Sequence, residues 1–374
     1  MSNEYTLYGA PMSLYTGKAR AYLNYKQIPY QEVFSSLKVY KNVIVPNTGV
    51  RFVPVLKTPS DEYLQDTAYI IDTLEKAHPS RSVIPASARQ KLVSYLFETW
   101  GDEWLVIPAM HYRWNKDNFP FIYEEFGKVV LPNMPGFIRA YVGKKIGSKF
   151  KGFVPMLGIT DKTIPAIEDW YENHVLKLLN EHFAEHEYLL GSKPCIGDFA
   201  LMGPLYAHLF RDPAPGKIMK AIAPNVAKWV LRMNQKDVPE GAYLSNDEIP
   251  TSLTPLVERM FKEQWPVLQS TIEHLEKWDQ ANPKSTSIPR TIGEHSFTIG
   301  NTTDKRAIAS FHQWKVQRVL KCYYQFNGAE KPSVDDFLKN MGGLECMQLH
   351  IKNWIIRKNN QLTFSNTDIS SIGL

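Results

Sequence analysis

The sequence predicts an α/β domain at the N-terminus, then an all-α helical domain, then a C-terminal helical extension with a small β-hairpin. Residues 5–75 alternate short β-type runs with helix-type runs. Downstream, Ile167, Tyr171, Val175 and Leu178 recur at the spacing of one buried helix face. Near the end, Trp354-Ile355-Ile356-Arg357 and Leu362-Thr363-Phe364 flank Asn359-Asn360, a turn pair suited to a hairpin. The stretch from His78-Pro79-Ser80 to Pro85-Ala86-Ser87 reads as a linker, so the expected domains are 1–80, 87–284 and 285–374.

In the first domain, residues 5–8 read as a strand, Ser13-Leu14-Tyr15-Thr16 as a turn, and 18–25 as a helix that Gln27-Ile28-Pro29 stops. Residues 30–34 form the second strand, and Phe52-Val53-Pro54-Val55-Leu56 the third, with a proline that a central strand does not normally hold. A cis Val53–Pro54 bond at the strand entrance accommodates it and leaves the Val53 backbone able to pair with an extended peptide ligand. Asp66-Thr67 then opens an apolar helix through Ile70, Ile71, Leu74 and Glu75. The turn at 13–16 and the pair at 66–67 thus both sit at helix N-termini, where backbone N–H groups and the macrodipole favour an anion.

Ser13-Leu14-Tyr15-Thr16 has the form of a glutaredoxin-type active-site turn with hydroxyl residues in place of both cysteines. Together with Val53-Pro54-Val55-Leu56 and Asp66-Thr67, in that order, it makes residues 4–79 resemble the thioredoxin-like N-terminal domain of the glutathione transferase superfamily. The resemblance implies glutathione as co-substrate. It puts Ser13 at the glutathione sulfur, gives the backbone contact to the cysteinyl moiety to Val53 beside Pro54, and gives the γ-glutamyl end to Asp66 and Thr67, with Lys18 adding positive potential. Tyr8 is the alternative sulfur ligand, because tyrosine-type members carry theirs at the end of the first strand.

The residue types suit the chemistry. A free thiol has a pKa near ~8.5, so a site working at neutral pH has to favour the thiolate, and charged hydrogen bonds contribute roughly 1.5–3 kcal/mol. A serine donates without being consumed, whereas a cysteine at position 13 would form mixed disulfides. Cys195, Cys322 and Cys346 all lie outside this domain. Each residue also has a plainer use: Ser13 or Thr16 as an N-cap, Tyr8 as a packed strand aromatic, Asp66-Thr67 as a capping pair, Lys18 and Arg20 as solvated helix residues.

In the helical part, Ser87 caps a helix through Trp100 that continues toward Trp114, and 115–160, rich in Gly, Pro and aromatics, reads as inserted loops and short helices beside a substrate cleft. Trp100, Trp104, Met110, His111, Tyr112, Arg113 and Trp114 form an aromatic and basic cluster. Its two readings are core packing, or a second-substrate pocket in which Trp104, His111, Tyr112 and Arg113 receive an apolar or aromatic electrophile. Gly191 to Leu201 resembles the family's buried helix start, with Cys195 at the cap position and Asp198 three residues on, and its expected role is structural. In the extension, Trp314, Val316, Val319, Leu320 and Tyr323 make a helical stripe, and Ser333-Val334-Asp335-Asp336 starts a further helix.

Composition narrows the function classes. The 374 residues are 44% hydrophobic and 22% charged, with a net charge of +5 spread along the chain, so no nucleic-acid partner is expected. No apolar run reaches the roughly 18 residues that span a bilayer, and the N-terminus lacks a secretory pattern, so a cytoplasmic protein without a membrane partner is expected. Three scattered cysteines, with His295, His312 and His350 far apart, make neither a disulfide framework nor a metal site. The functional expectation is a detoxifying transferase that activates the glutathione thiolate against a small electrophile. The alternative is a non-catalytic glutathione-fold module that binds a ligand or partner; a homodimer is left open.

Overall fold

A computed structural model describes residues 4–365. The chain begins with β1 (Tyr5–Gly9), α1 (Leu14–Tyr25), β2 (Tyr30–Phe34), β3 (Val55–Lys57), β4 (Tyr63–Gln65) and α2 (Thr67–Ala77). Helices α3 (Ala88–Glu103), α4 (Val106–Arg113), α5 (Phe121–Val130), α6 (Gly136–Lys151) and α7 (Ile196–Ala207) follow, with other helical runs over 164–185, 213–233 and 254–281. The last elements are β5 (Thr291–Ile299), β6 (Thr302–Ala309), α8 (Phe311–Tyr324), α9 (Glu330–Asn340), β7 (Ile355–Lys358) and β8 (Gln361–Phe364). They divide into two compact units: residues up to 83 with 108–154 and 199–240, and residues 84–107 with 155–198 and 241 onward.

The first unit holds a mixed four-stranded sheet in the order β2-β1-β3-β4, with β1 parallel to β2 and β3 antiparallel to both its neighbours. Leu7, Leu56 and Leu64 stand in register across it and are buried, which makes one face apolar, while Tyr8, Lys57 and Tyr63 on alternate positions are half-buried. This is a thioredoxin-like domain. The short strand β4, which the sequence did not signal, completes it. Over 115–160, where loops and short helices were expected, α5 and α6 form an antiparallel pair. Its close approach needs glycine: a Cβ on Gly127 would lie 2.2 Å from the Arg139 carbonyl oxygen, and one on Gly143 2.1 Å from that of Tyr123.

The second unit is built on α3 and α8. Val316, Val319, Leu320 and Tyr323 are buried as the stripe predicts, and so is Trp314. Around 164–185 the stripe changes register: Ile167, Tyr171 and Val175 are buried, but beyond them the buried positions are Leu176 and Leu179, and Leu178 is half-exposed. The π-helical turn Trp170–Val175 inserts the extra residue that causes the slip. The helix from Ser87 stops at Glu103 and restarts at Val106, so it does not run unbroken to Trp114. Its cap is also not the expected one. The Ser87 hydroxyl donates to Gln90 Oε1, while the Asp247 carboxylate accepts the N–H groups of Arg89 and Gln90.

The hairpin β7–β8 turns at Asn359-Asn360, both with positive φ, as the sequence indicates. A second, longer hairpin, β5–β6, was not anticipated. Its signal was present in the alternation of His295, Phe297 and Ile299 before Gly300-Asn301, with Gly300 at φ 55°. Helix α9 begins at Glu330, a few residues before the expected Ser333.

Candidate glutathione site

The strand directions gather the candidate residues of the first unit. Since β3 runs antiparallel to β1 and to β4, the C-terminal end of β1, the entrance to β3 and the C-terminal end of β4 lie at one end of the sheet. Ser13 follows the first, Val53 precedes the second, and Asp66 follows the third. The register Tyr8–Val55–Gln65 aligns the three loops across successive strands.

Ser13 is the N-cap of α1, with extended backbone, and its Oγ accepts the N–H of Thr16 at 3.3 Å. Its O–H has no protein acceptor among the described residues. Thr16 is fully buried instead and stitches the turn to β1, its Oγ1 accepting the Ala10 N–H at 3.3 Å. That approach requires Gly9, where a Cβ would lie 2.3 Å from Thr16 Cγ2. Thus the turn's second hydroxyl has a structural use and the first is half-exposed.

Val53 lies outside the strand ladder, half-buried, and is joined by a cis peptide to the buried Pro54. Asp66 caps α2, one carboxylate oxygen accepting the N–H groups of Ala68 at 2.9 Å and Tyr69 at 3.3 Å. Its other oxygen has no protein partner among the described residues. Asp66 also holds φ 80° and ψ 132°, a conformation that non-glycine residues seldom adopt and that clusters at ligand sites. Thr67 beside it is buried.

Tyr8 points to the sheet face opposite Leu7 and stacks on Tyr63 with ring centroids 6.4 Å apart. Burial pushes its phenol above the ordinary value and Tyr63 adds to this, against the opposing charge of Lys57. Neither cation of α1 is the solvated helix residue of the plainer reading. Lys18 is fully buried, and Arg20 is held by both oxygens of Glu32, at 2.7 and 2.6 Å.

The aromatic and basic cluster is buried: Trp100, Trp104, His111, Tyr112, Arg113 and Trp114 are each at most 6% exposed. Arg113 is engaged inside the first unit. Its guanidinium donates to both oxygens of the fully buried Asp212 at 2.8 and 2.9 Å, to the Met12 carbonyl at 2.5 Å and to the Ala207 carbonyl at 2.5 Å. Asn118 adds a bond to Asp212 at 2.9 Å. Ala10 and Met12 meanwhile pack in one apolar cluster with Trp114, Ile122, Phe126 and Val129. The residue directly before Ser13 is therefore fixed through its carbonyl by Arg113 and through its side chain by α5. Sequence reasoning missed this support, and no local signal links residues 12, 113 and 212.

The cysteines are free and unsuited to act as thiolates. Burial pushes the Cys195 thiol well above its ordinary value, Cys322 up to about 12 and Cys346 to about 11. Asp198 holds the start of α7 as expected, accepting the N–H groups of Cys195 at 2.9 Å and Leu189 at 3.1 Å. Among the described residues, no helix is long and apolar enough to cross a membrane.

Comparison with known proteins agrees with this architecture. A family model described as the glutathione S-transferase N-terminal domain matches residues 7–82, and one described as the glutathione S-transferase C-terminal domain matches residues 150–237. No curated protein matches the chain. Among solved structures, the chain is similar to a GST-like protein from Pseudomonas syringae, at 18% identity over 69% of this chain and 74% of that one, with a TM-score of 0.40. It is also similar to a glutathione S-transferase of Ceriporiopsis subvermispora in complex with glutathione, at 19% identity over 64% and 100% of the two chains, with a TM-score of 0.41. A glutathione transferase from Phanerochaete chrysosporium is similar at 15% identity over 64% and 99%, with a TM-score of 0.43. The two domain models match in the family's order, the first of them over the sheet, turn and capped helix just described, so residues 7–82 and 150–237 carry the N- and C-terminal domains of the glutathione transferase superfamily.

Proposed function

We propose that the first unit binds glutathione across the end of its sheet and that Ser13 holds the sulfur as a thiolate for attack on an electrophilic second substrate. The observation that carries this reading is the hydroxyl of Ser13. It accepts a backbone N–H, which fixes its position at the α1 N-terminus, and keeps its own proton for an incoming anion. Spacing supports the rest. Strands lie about 4.8 Å apart, so β1 and β4 stand roughly 10 Å apart across β3, about the length of an extended tripeptide. The cysteinyl backbone then pairs with Val53 and the γ-glutamyl ammonium meets the unused oxygen of Asp66, with Thr67 beside it.

In the reaction, the thiolate lone pair forms the new sulfur–carbon bond and the electrophile's leaving group departs with the electrons of the bond that breaks. The protein lowers the barrier by placing the sulfur and by making the thiolate available. A charged hydrogen bond of roughly 1.5–3 kcal/mol corresponds to a depression of about one to two pKa units in the thiol. Such a shift brings a free thiol's value near ~8.5 close to neutrality.

Retention on immobilised glutathione and a thiolate absorbance titration of the complex test the proposal. Wild-type protein is expected to be retained and to show the depressed thiol pKa, whereas Ser13→Ala is retained with the pKa of free glutathione and a lower rate. Loss of conjugation in Tyr8→Phe but not in Ser13→Ala transfers the role to Tyr8. Retention without any thiolate signal in the wild type reduces the protein to a binding module.

A further inference from the structure

Helix α6 carries its large side chains on the wrong side for a core helix. Its buried positions are Gly143 and Gly147, while Phe137 is 76% and Tyr141 71% exposed. Met134 before the helix, Phe150 in its last turn and Phe153 after it are also exposed. Five of the thirteen exposed large hydrophobics of the described chain thus fall within twenty residues; Phe137 and Tyr141 stand on one face of α6, while Phe150 lies on the other side and packs on Phe126 with ring centroids 5.1 Å apart. The same stretch is one-signed in charge. Arg139, Lys144, Lys145, Lys149 and Lys151 lie within 126–160 alongside Lys128, and no acidic residue does. Of these, Lys128 alone has a carboxylate partner among the described residues, Glu125 at 2.9 Å.

The arrangement on the helix decides what kind of partner fits. At 100° per residue, Phe137, Tyr141, Lys144, Lys145 and Ser148 share one face, so the aromatics and the ammonium groups point the same way. A protein groove closing over this face would have to desolvate the lysines beside Tyr141. An interface between lipid headgroups and acyl chains would not: the rings enter at the headgroup level while the ammonium groups extend along it to phosphates. A helix of 16 residues is about 24 Å long and can lie in that plane.

We propose that the exposed face of α6 docks this protein peripherally on a bilayer carrying anionic lipid. This is surface attachment, distinct from the spanning segment that no described helix provides. The attraction is that of a basic segment to a negative leaflet, and it weakens as salt screens it.

Co-sedimentation of the full chain with vesicles tests it, using phosphatidylcholine alone and phosphatidylcholine with phosphatidylserine in equal parts. Binding is expected to the mixed vesicles only, to fall with added sodium chloride, and to drop about tenfold or more in Lys144→Glu/Lys145→Glu. Phe137→Ser/Tyr141→Ser is expected to lose binding as well, with the melting temperature unchanged because both side chains are exposed. Failure of the wild type to bind mixed vesicles, or binding that survives both double substitutions, overturns the proposal. So does self-association that Phe137→Ser/Tyr141→Ser abolishes in a protein that ignores vesicles, which makes the face a contact between copies of the chain.

Discussion

Both units bury arginine against carboxylate, and they use the pairing differently. In the second unit the charges satisfy one another. Lys315 reaches Asp102 at 2.5 Å and Glu98 at 3.7 Å, while Arg318 binds Glu98 at 3.0 Å, all four side chains being almost wholly buried between α3 and α8. In the first unit Asp212 orients Arg113, but two of the guanidinium's bonds go to backbone carbonyls, those of Met12 and Ala207. The first arrangement locks two helices in register. The second fixes the backbone from which Ser13 projects, so its loss reaches the site as well as the stability.

The largest effect that separates the two is truncation after Lys284. It removes α8, and with it Lys315, Arg318 and the apolar stripe of Val316, Val319 and Leu320, and so uncovers the side of α3 that carries Glu98 and Asp102. An insoluble or grossly destabilised protein is expected, whatever the fate of the first unit. Recovery of soluble truncated protein with the parent melting temperature would break the comparison.

Removing one partner of a buried pair costs about 3–5 kcal/mol, whereas replacing both by apolar residues of similar volume is often neutral. Asp102→Ala is expected to show the full cost in a denaturant titration, and Asp102→Leu/Lys315→Met much less. The equivalent replacement in the first unit, Asp212→Leu/Arg113→Met, should not recover in the same way. The carbonyls of Met12 and Ala207 would stay buried without donors, at about 1–3 kcal/mol each. Equal recovery in the two double variants would show that Arg113 positions nothing.

Acid should act on both units through buried histidines, His208 in the first and His182 in the second, whose pKa values burial pushes well below the ordinary one. His182 is buried with Nδ1 2.8 Å from Ser252 Oγ and Nε2 3.3 Å from the Tyr188 carbonyl, an arrangement satisfied by the neutral ring donating from Nε2. Burial, with help from His186, pushes its pKa down to about 3. The unfolded chain takes up the proton near pH ~6.5, so the contribution of the neutral ring is complete above that pH and is lost as pH falls toward the folded value. Down to pH ~4 the loss is on the order of 3 kcal/mol. Melting temperatures between neutral pH and pH ~4 should fall more steeply in the wild type than in His182→Gln; identical slopes would remove His182 from the account.

The smallest effect concerns ligand affinity in the first unit. Asp66→Asn keeps an N-cap acceptor and removes the charge, so α2 should hold while glutathione binding weakens by roughly 1.5–3 kcal/mol. Calorimetry that finds unchanged affinity would end the assignment of Asp66 to the γ-glutamyl group.

By itself, the sequence determined the features that depend on a few neighbouring residues. The turn at Ser13, the cap at Asp66, the hairpin at Asn359-Asn360 and the stripe of α8 are all in the structure, because backbone preference, capping and periodicity act within about four residues. The hairpin β5–β6 belongs to the same class, and its Gly300-Asn301 turn was readable though unread. Tertiary structure alone decided the partners. Arg113 meets Met12 across 101 residues and Asp212 across 99, the α3 cap comes from Asp247 across 158, and Lys315 finds Asp102 across 213. Such contacts repay the entropy of closing long loops only when the whole unit folds, so no local pattern announces them, and a buried arginine reads in sequence like an exposed one.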